Sequence, residues 1–83
     1  MMFEFDIVIR SFRQAQDFVQ LAMAQPFPVR VDSDDYHING KDIMGICSLD
    51  FSRPVRVSVN CSETEFLRFQ QDAGRLLQET TGS

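Results

Sequence analysis

Few side chains in this 83-residue chain could do chemistry, and their spacing fits none of the common sites. Its single histidine is His37, and its two cysteines, Cys47 and Cys61, lack the CxxC spacing typical of metal and redox motifs. The acidic run "DSDD" at residues 32–35 is not a calcium loop, because its sixth and twelfth positions hold His37 and Ile43 instead of glycine and glutamate. We therefore expect no metal, no cofactor and no enzymatic reaction, and we expect the thiols to be reduced.

Three other polar side chains need an interpretation. His37 lies in "YHIN", where alternation turns it outward, and an exposed strand histidine with no evident partner is usually incidental. Ser11 and Arg13 stand at the start of the first predicted helix. A helix N-terminus attracts anions and arginine donates bidentately, so Arg13 is either an anion contact or a solvated surface residue.

The composition argues against two classes of partner. Twelve acidic and eight basic residues give a net charge of −4, and no basic patch interleaves with aromatic residues, so direct binding of nucleic acid is not expected. No apolar run approaches the ~18 residues of a membrane span, and "MMFEFDIVIR" alternates and carries Glu4 and Asp6 early, unlike a secretory signal. We expect a single cytoplasmic domain over residues 1–83.

Four stretches alternate apolar and polar residues, which is the pattern of strands with one buried face. The inward positions are Phe3, Phe5, Ile7 and Ile9; Phe27, Val29 and Val31; Tyr36 and Ile38; and Val55, Val57 and Val59. "DSDD" predicts the turn between the second and third strands. Because the other face of each strand is largely charged or polar, helices can cover only one side of the sheet, and the other side meets water.

Helices are predicted between and after these strands. Ser11 and Gln14 have the spacing of a capping box, and Ser62 and Glu65 repeat it. Gly74 weakens the last helix, and "ETTGS" at residues 79–83 is expected to fray. The apolar stripes are Phe12, Ala15, Phe18, Val19, Leu21 and Ala22 in the first helix, and Phe66, Phe69, Ala73, Leu76 and Leu77 in the last. The order of strand, helix, strand, strand, short helix, strand and helix predicts an open-faced, two-layer α+β sandwich.

The stretch "NGKDIMGICSL" at residues 39–49 predicts a short helix with an exposed apolar side. Asp42 is placed to cap it, because its carboxylate can accept hydrogen bonds from unpaired backbone N–H groups and its charge suits a helix N-terminus. More apolar residues follow than one face of so short a helix can bury: Ile43, Met44, Ile46, Cys47 and Leu49. Some of them should be exposed, which suggests a contact with another protein.

Around this stretch the sequence resembles the histidine-containing phosphocarrier protein (HPr) family of the bacterial sugar phosphotransferase system. "KDIMGICSL" is similar to the family's "KSIMGVMSL", and weaker similarities lie in "DFVQLA" and "VRVSVNCSETEFL". The resemblance covers nearly the whole chain. It implies a βαββαβα fold with a four-stranded antiparallel sheet and three helices on one face.

Two positions depart from the family pattern. The family's phosphorylated histidine opens the first helix in "G-L-H-A-R-P", and ungapped alignment from "DFVQLA" places Ser11 at the histidine and Arg13 at the arginine. A shift of one residue would place Arg10 or Phe12 at the histidine instead. The family's regulatory serine corresponds to Asp42.

These departures change the chemistry that the resemblance implies. Imidazole, with a pKa of ~6.5, is a good leaving group and a serine alkoxide is a poor one, so a phosphorylated Ser11 would not pass its group on. Ser11 is therefore interpreted as a helix cap, and His37 is the remaining imidazole for a relocated phosphorylation site. Phosphoserine carries about −1.5 to −2 charge, so the fixed charge of Asp42 either mimics the phosphorylated state or only caps the helix.

The resemblance leads to an HPr-like regulatory, protein-binding domain without the phosphorylatable histidine, similar to the family's histidine-lacking relatives in carbon catabolite regulation. The predicted contact surface comprises Ile43, Met44 and Cys47, with Arg13 and Asp42 beside them. The implied partners are proteins of the phosphotransferase system or a transcriptional regulator, bound by a monomer or weak homodimer. Two alternatives stay open: an active carrier phosphorylated at an unusual residue, and a repurposed domain that dimerises through an exposed strand edge.

Overall fold

The computed structural model describes residues 1–34 and 36–77. Its elements are β1 (Met2–Ile7), α1 (Phe12–Met23), β2 (Val29–Ser33), β3 (Tyr36–Asn39), α2 (Ile43–Cys47), β4 (Val55–Asn60) and α3 (Glu63–Leu77). This order confirms the predicted βαββαβα arrangement and the α+β class. The predicted fraying of "ETTGS" and the part of the "DSDD" turn formed by Asp35 lie outside the described residues.

The four strands form one sheet in the order β1-β4-β2-β3, and neighbouring strands are antiparallel throughout. β1 pairs with β4 along its whole length, from Met2 opposite Asn60 to Ile7 opposite Val55. β2 and β3 form a hairpin, and Asp34 in its turn has a positive φ of 51°, a conformation that aspartate tolerates. β1 and β3 are therefore the edge strands.

The core lies between one face of the sheet and the helices. Phe69 of α3 is the centre of an aromatic cluster. Its ring centroid lies 5.9 Å from that of Phe5, 6.2 Å from that of Phe18 and 5.8 Å from that of Phe27. The predicted alternation of buried and polar strand residues is confirmed at the centre of the sheet, except that Ser58 on the polar side of β4 is also buried. The fully buried side chains at the centre of the sheet include Val31, Val57 and Val59.

Three side chains predicted to face the core are exposed instead. Tyr36 is 68% exposed, because it opens the edge strand β3 next to the turn, whereas α2 packs over Ile38 two residues later. Phe12 is 65% exposed at the first position of α1, and Leu76 near the end of α3 is exposed to a smaller extent. The alternation of residues along a strand and the apolar period of a helix predict in which direction a side chain points. Whether another element covers that side chain depends on where each element begins and ends.

The starts of α1 and α3 are capped as predicted. Oγ of Ser11 accepts the N–H of Gln14 at 3.2 Å. The side-chain carbonyl of Gln14 accepts the N–H of Arg10 at 2.8 Å, one residue before the cap. Ser62 and Glu65 form the complete reciprocal pair, because each backbone N–H donates to the other side chain, at 3.0 and 3.2 Å. The cap at Ser11 determines where α1 begins.

Gly40 lies between β3 and α2, at a point where a side chain has no room. A Cβ on this residue would lie 2.6 Å from Cγ1 of the buried Val29 and 3.2 Å from its carbonyl oxygen. We expect Gly40→Ala to lower the free energy of unfolding by about 1–3 kcal/mol, because the buried neighbour would have to shift. Urea unfolding followed by circular dichroism measures this change.

Gly74→Ala is the matched control for that measurement. No heavy atom of the described residues lies within 4 Å of the Cβ position of Gly74, outside its own stretch of α3. Alanine has the higher helix propensity, so we expect this variant to raise the free energy of unfolding by about 0.5–1 kcal/mol. Equal shifts for the two variants would contradict the close packing at Gly40.

Candidate functional site

The short helix α2 begins at the aspartate that was predicted to cap it. Oδ1 of Asp42 accepts the N–H of Met44 at 3.1 Å, and its carbonyl oxygen accepts the N–H of Ile46 at 3.0 Å. At the other end, the N–H and the hydroxyl of Ser48 both donate to the carbonyl oxygen of Gly45. Hydrogen bonds at both ends stabilise a helix of only five residues. The predicted capping role of Asp42 is confirmed.

α2 is anchored on one side and exposed on the other. Ile46 is fully buried, and Leu49 is buried just after the helix. By contrast, Met44 is 81% exposed, Ile43 is 37% exposed, and Cys47 is half-buried against the core. The prediction that this apolar run exceeds what one face can bury is confirmed, and Met44 is the most accessible of the three predicted contacts.

The start of α1 contacts the turn that follows α2. α1 contacts α2, and the ring of Phe12 packs edge-on against Phe51 in the turn after α2, at a centroid distance of 5.5 Å. Neither phenylalanine was predicted at the contact surface. Phe12 is the first residue of α1, and this position could have indicated that its ring is not covered by another element. We define the α1/α2 surface as the apolar side chains Phe12, Ile43, Met44, Cys47 and Phe51.

Ser11 and Arg13 are the chain neighbours of Phe12, which belongs to the α1/α2 surface. The hydroxyl oxygen of Ser11 is the helix cap described above. The side chain of Arg13 is largely exposed, and its Nε lies 3.9 Å from a carboxylate oxygen of Asp17, one turn along α1. An ion pair this exposed contributes little to stability. The guanidinium of Arg13 remains accessible to a partner or an anion. Ser11 and Arg13 therefore lie on either side of Phe12, whose ring contacts Phe51 after α2.

His37 lies on the outer face of the sheet, as predicted, but it has partners, which corrects the prediction that it had none. Its Nδ1 lies 2.8 Å from Oδ1 of Asp32 and 2.9 Å from Nη2 of Arg30. A protonated Nδ1 donates to Asp32, whereas an unprotonated Nδ1 accepts from Arg30. The hairpin register places Asp32 directly opposite His37, so a two-residue turn in "DSDD" would have predicted this pair.

The outer face of the sheet is a layer of ion pairs. Partial burial acts to raise the pKa of Asp32, but hydrogen bonds from His37 and Arg30 and the charge of Arg30 outweigh it, and the pKa lies below its usual range. On the neighbouring strands, Nε of Arg56 donates to Asp6 at 3.2 Å, and this bond raises the pKa of Arg56. The predicted polar outer face is confirmed, and it is on the side of the sheet opposite the helices.

The lowered pKa of Asp32 has a consequence for acid stability. Ionised Asp32 stabilises the folded state above the unfolded pKa of ~3.9, and this contribution is lost as pH falls through the lower folded pKa. When pH falls from about 5 to about 3, we expect the free energy of unfolding to decrease more for wild type than for Asp32→Asn. The difference should be less than about 1 kcal/mol, because the ion pairs of Asp32 are partly exposed to solvent. Urea unfolding at a series of pH values measures this, and parallel curves for the two proteins would contradict it.

Among the described residues, the thiols and acidic side chains form no further site. Both cysteines are free, and burial raises the pKa of the Cys61 thiol with a smaller contribution from the charge of Glu65, so this thiol is not activated. Within residues 1–34 and 36–77, no three His, Cys, Asp or Glu side chains are grouped so as to hold a metal ion. In the same part of the chain, no helix has the length and apolar character needed to cross a bilayer.

Solved structures share this fold. A crystal structure of a phosphocarrier protein HPr from Bacillus anthracis str. Ames matches with a TM-score of 0.69 and 21% identity, covering 93% of this chain and 98% of that chain. The crystal structure of HPr-C-His from Thermoanaerobacter tengcongensis matches with a TM-score of 0.67 and 24% identity, covering 100% of this chain and 97% of that chain. No family model matches the sequence, and no curated protein does. The predicted HPr-like fold is confirmed.

Proposed function

We propose, from its HPr fold, that this chain is a regulatory, protein-binding domain of the bacterial sugar phosphotransferase system that does not itself carry phosphate. The observation that supports this most directly is at the start of α1, where the N-cap is Ser11 and the chain's single histidine, His37, lies elsewhere. The resemblance aligns Ser11 with the family's phosphorylated histidine. The hydroxyl oxygen of Ser11 accepts the N–H of Gln14 as the helix cap. Because a serine alkoxide is a poor leaving group, a phosphoserine there would hold its phosphoryl group instead of transferring it.

The proposed contact is the α1/α2 surface. Ile43, Met44 and Cys47 belong to it. The exposed ring of Phe12 and the partly buried ring of Phe51 extend it, as expected for interface centres, which are rich in aromatic side chains. Arg13 and Asp42 supply a charged rim, which is the usual anatomy of a small transient interface. The proposed partners are cytoplasmic: proteins of the phosphotransferase system, or a transcriptional regulator of carbon catabolite control. Such binding requires neither a cofactor nor a reaction on this chain.

A rival function is that of a phosphocarrier that uses His37. It is favoured by one observation, namely that His37 is an exposed imidazole oriented by a carboxylate, Asp32. Two observations weigh against it. Nδ1 already has a hydrogen-bond partner in either protonation state, Asp32 or Arg30. The outer face of the sheet is also opposite the face covered by α1 and α2.

Incubation with phosphoenolpyruvate and the first enzyme of the phosphotransferase system tests the proposal. We expect this chain to gain no acid-labile phosphoryl group, measured by intact-protein mass spectrometry before and after acid treatment. An active HPr protein in a parallel reaction serves as the positive control for the enzyme. A labile phosphoryl group on wild type would overturn the proposal, and its loss in His37→Ala would identify the carrier residue.

Asp42 has a second proposed role, in which its fixed charge holds the domain in a form that resembles the serine-phosphorylated family state. Asp42→Asn keeps a good capping side chain and removes the charge. We therefore expect it to change the free energy of unfolding by less than about 0.5 kcal/mol. Its affinity for a partner should fall about threefold to fivefold, because the lost charge lies at an exposed rim. Isothermal titration calorimetry with a purified partner measures the affinity.

Asp42→Ser distinguishes the two roles of this residue. If the charge is what the partner recognises, this variant should bind weakly until a kinase phosphorylates the introduced hydroxyl. Affinities equal to wild type for both Asp42→Asn and unphosphorylated Asp42→Ser would leave Asp42 as a helix cap alone.

A further inference from the structure

A groove of about 530 Å³ lies where the segment after α1 meets the β2–β3 hairpin. It shares no residue with the α1/α2 surface, so it is a separate feature of the molecule. We name it the β2–β3 groove and define it by six of its lining side chains: Pro26, Pro28, Arg30, His37, Ile38 and Lys41.

The β2–β3 groove is basic, although the chain is acidic. The chain has a formal net charge of −4, yet no acidic side chain of the described residues lines the groove. Asp32 lies beside it and orients two of the basic side chains, with Oδ1 2.9 Å from Nε of Arg30 and 2.8 Å from Nδ1 of His37. Nε of Arg30 donates to Asp32 and its Nη2 lies 2.9 Å from Nδ1 of His37, whereas among the described residues its Nη1 has no hydrogen-bond partner. That nitrogen can donate charge-assisted hydrogen bonds to an anion.

The third basic side chain comes from a different segment and is also held in place. Nζ of Lys41 donates to the carbonyl oxygen of Gln25 at 3.0 Å, which joins the turn after β3 to the segment after α1. An ammonium group has three N–H donors, so this one bond leaves donors for a ligand. Lys41 and Arg30 are therefore two oriented cations from separate segments at one groove, and less side-chain entropy is lost when they bind an anion.

The rest of the groove is apolar. Pro26 and Pro28 contribute ring carbons and have no backbone N–H, and Ile38 contributes an aliphatic side chain. The volume of the groove lies within the roughly 300–1,000 Å³ of small-molecule sites, which are mostly apolar with a few placed polar groups. This combination suits an organic molecule that has one anionic group on a compact apolar body.

We propose that the β2–β3 groove binds a small organic anion, a carboxylate or a phosphate monoester on a compact apolar body, with its charge on Arg30 and Lys41. This inference goes beyond the proposed function, because it assigns a ligand to a site that the protein contact does not use. Occupation of the groove leaves the α1/α2 surface accessible, so one domain would hold a small anion and a protein partner together.

Titration of the uniformly ¹⁵N-labelled protein, followed by amide chemical shifts, tests the proposal with three probes: benzoate, phenyl phosphate and inorganic phosphate. We expect at least one organic probe to give saturable shifts confined to the amides of residue 27, residues 29–30 and residues 37–41. Inorganic phosphate should bind more weakly than that probe, because it has no apolar body. The tighter of benzoate and phenyl phosphate identifies the anionic group that the groove prefers.

Three variants separate binding in the groove from general surface charge. Arg30→Gln and Lys41→Gln should each weaken binding of the organic probe about tenfold. Arg68→Gln makes the same charge change at an exposed position of α3 and should leave binding unchanged. The amide spectra show whether each variant is folded. The proposal is overturned by shifts that do not saturate with any probe, by an equal loss in Arg68→Gln, or by inorganic phosphate binding as tightly as the organic probes.

Discussion

Replacing Phe69 with alanine is expected to lower the free energy of unfolding by about 3–5 kcal/mol, the largest effect we expect from a single substitution in this protein. Phe69 is 1% exposed, and its ring meets those of Phe5, Phe18 and Phe27 between the sheet and the helices. The loss combines the transfer of a buried ring to water with the cavity left in a closely packed core. A domain of this size has a total stability of only roughly 5–10 kcal/mol, so the variant should be close to unfolding.

Phe12→Ala is the matched control for this prediction. It makes the same chemical change at a residue that is 65% exposed and has a single aromatic contact, so it should cost less than about 1 kcal/mol. Urea unfolding followed by circular dichroism measures both variants. If Phe69→Ala does not fold, Phe69→Leu gives a measurable transition with a loss of about 1–2 kcal/mol. Similar losses for Phe69→Ala and Phe12→Ala would contradict the packing described here.

Met44→Asp should weaken binding of a protein partner about thirtyfold while leaving the fold intact. Met44 is 81% exposed, so the substitution removes no core contact. In a complex, however, it would place a carboxylate within the apolar α1/α2 surface, where burial of an unpaired charge is unfavourable. Substitution of an interface hot spot costs about 2 kcal/mol or more, and about 2 kcal/mol corresponds to roughly thirtyfold in affinity.

Leu67→Asp controls for the general effect of an added negative charge. Leu67 is also an exposed apolar residue, 54% exposed, but it lies on α3 and is not part of the α1/α2 surface. Immobilised wild type, Met44→Asp and Leu67→Asp are incubated with a bacterial lysate, and the retained proteins are quantified by mass spectrometry and then titrated after purification. We expect some proteins to be retained by wild type and by Leu67→Asp but not by Met44→Asp. Equal retention by all three would remove the proposed contact surface.

The candidate site was predictable where short-range patterns determine it. Ser11, Asp42 and Ser62 were predicted as caps from the spacing of polar residues at helix starts, and all three accept the expected backbone N–H. A cap involves residues within about three positions of one another, so the local sequence contains most of the necessary information. The exposure of Met44 was predictable for a related reason, since a helix as short as α2 has room for only one buried face.

The partners of exposed residues were harder to predict. Phe12 follows the apolar period of α1, and nothing in that period indicates that its ring meets Phe51, thirty-nine positions later. The prediction that His37 lacks a partner was wrong because its partners, Arg30 and Asp32, are on another strand. Only the register between the two strands places those side chains together.

By itself, the sequence determined the type and order of the elements, the starts of the helices and the buried face of the central strands. Each of these follows from backbone periods and caps that span only a few neighbouring residues. The tertiary structure alone decided the strand order β1-β4-β2-β3, the exposure of Phe12 and Tyr36, and the meeting of Lys41 with Gln25 at the β2–β3 groove. These features depend on which distant segments pack together and where each element ends, and no local period specifies either.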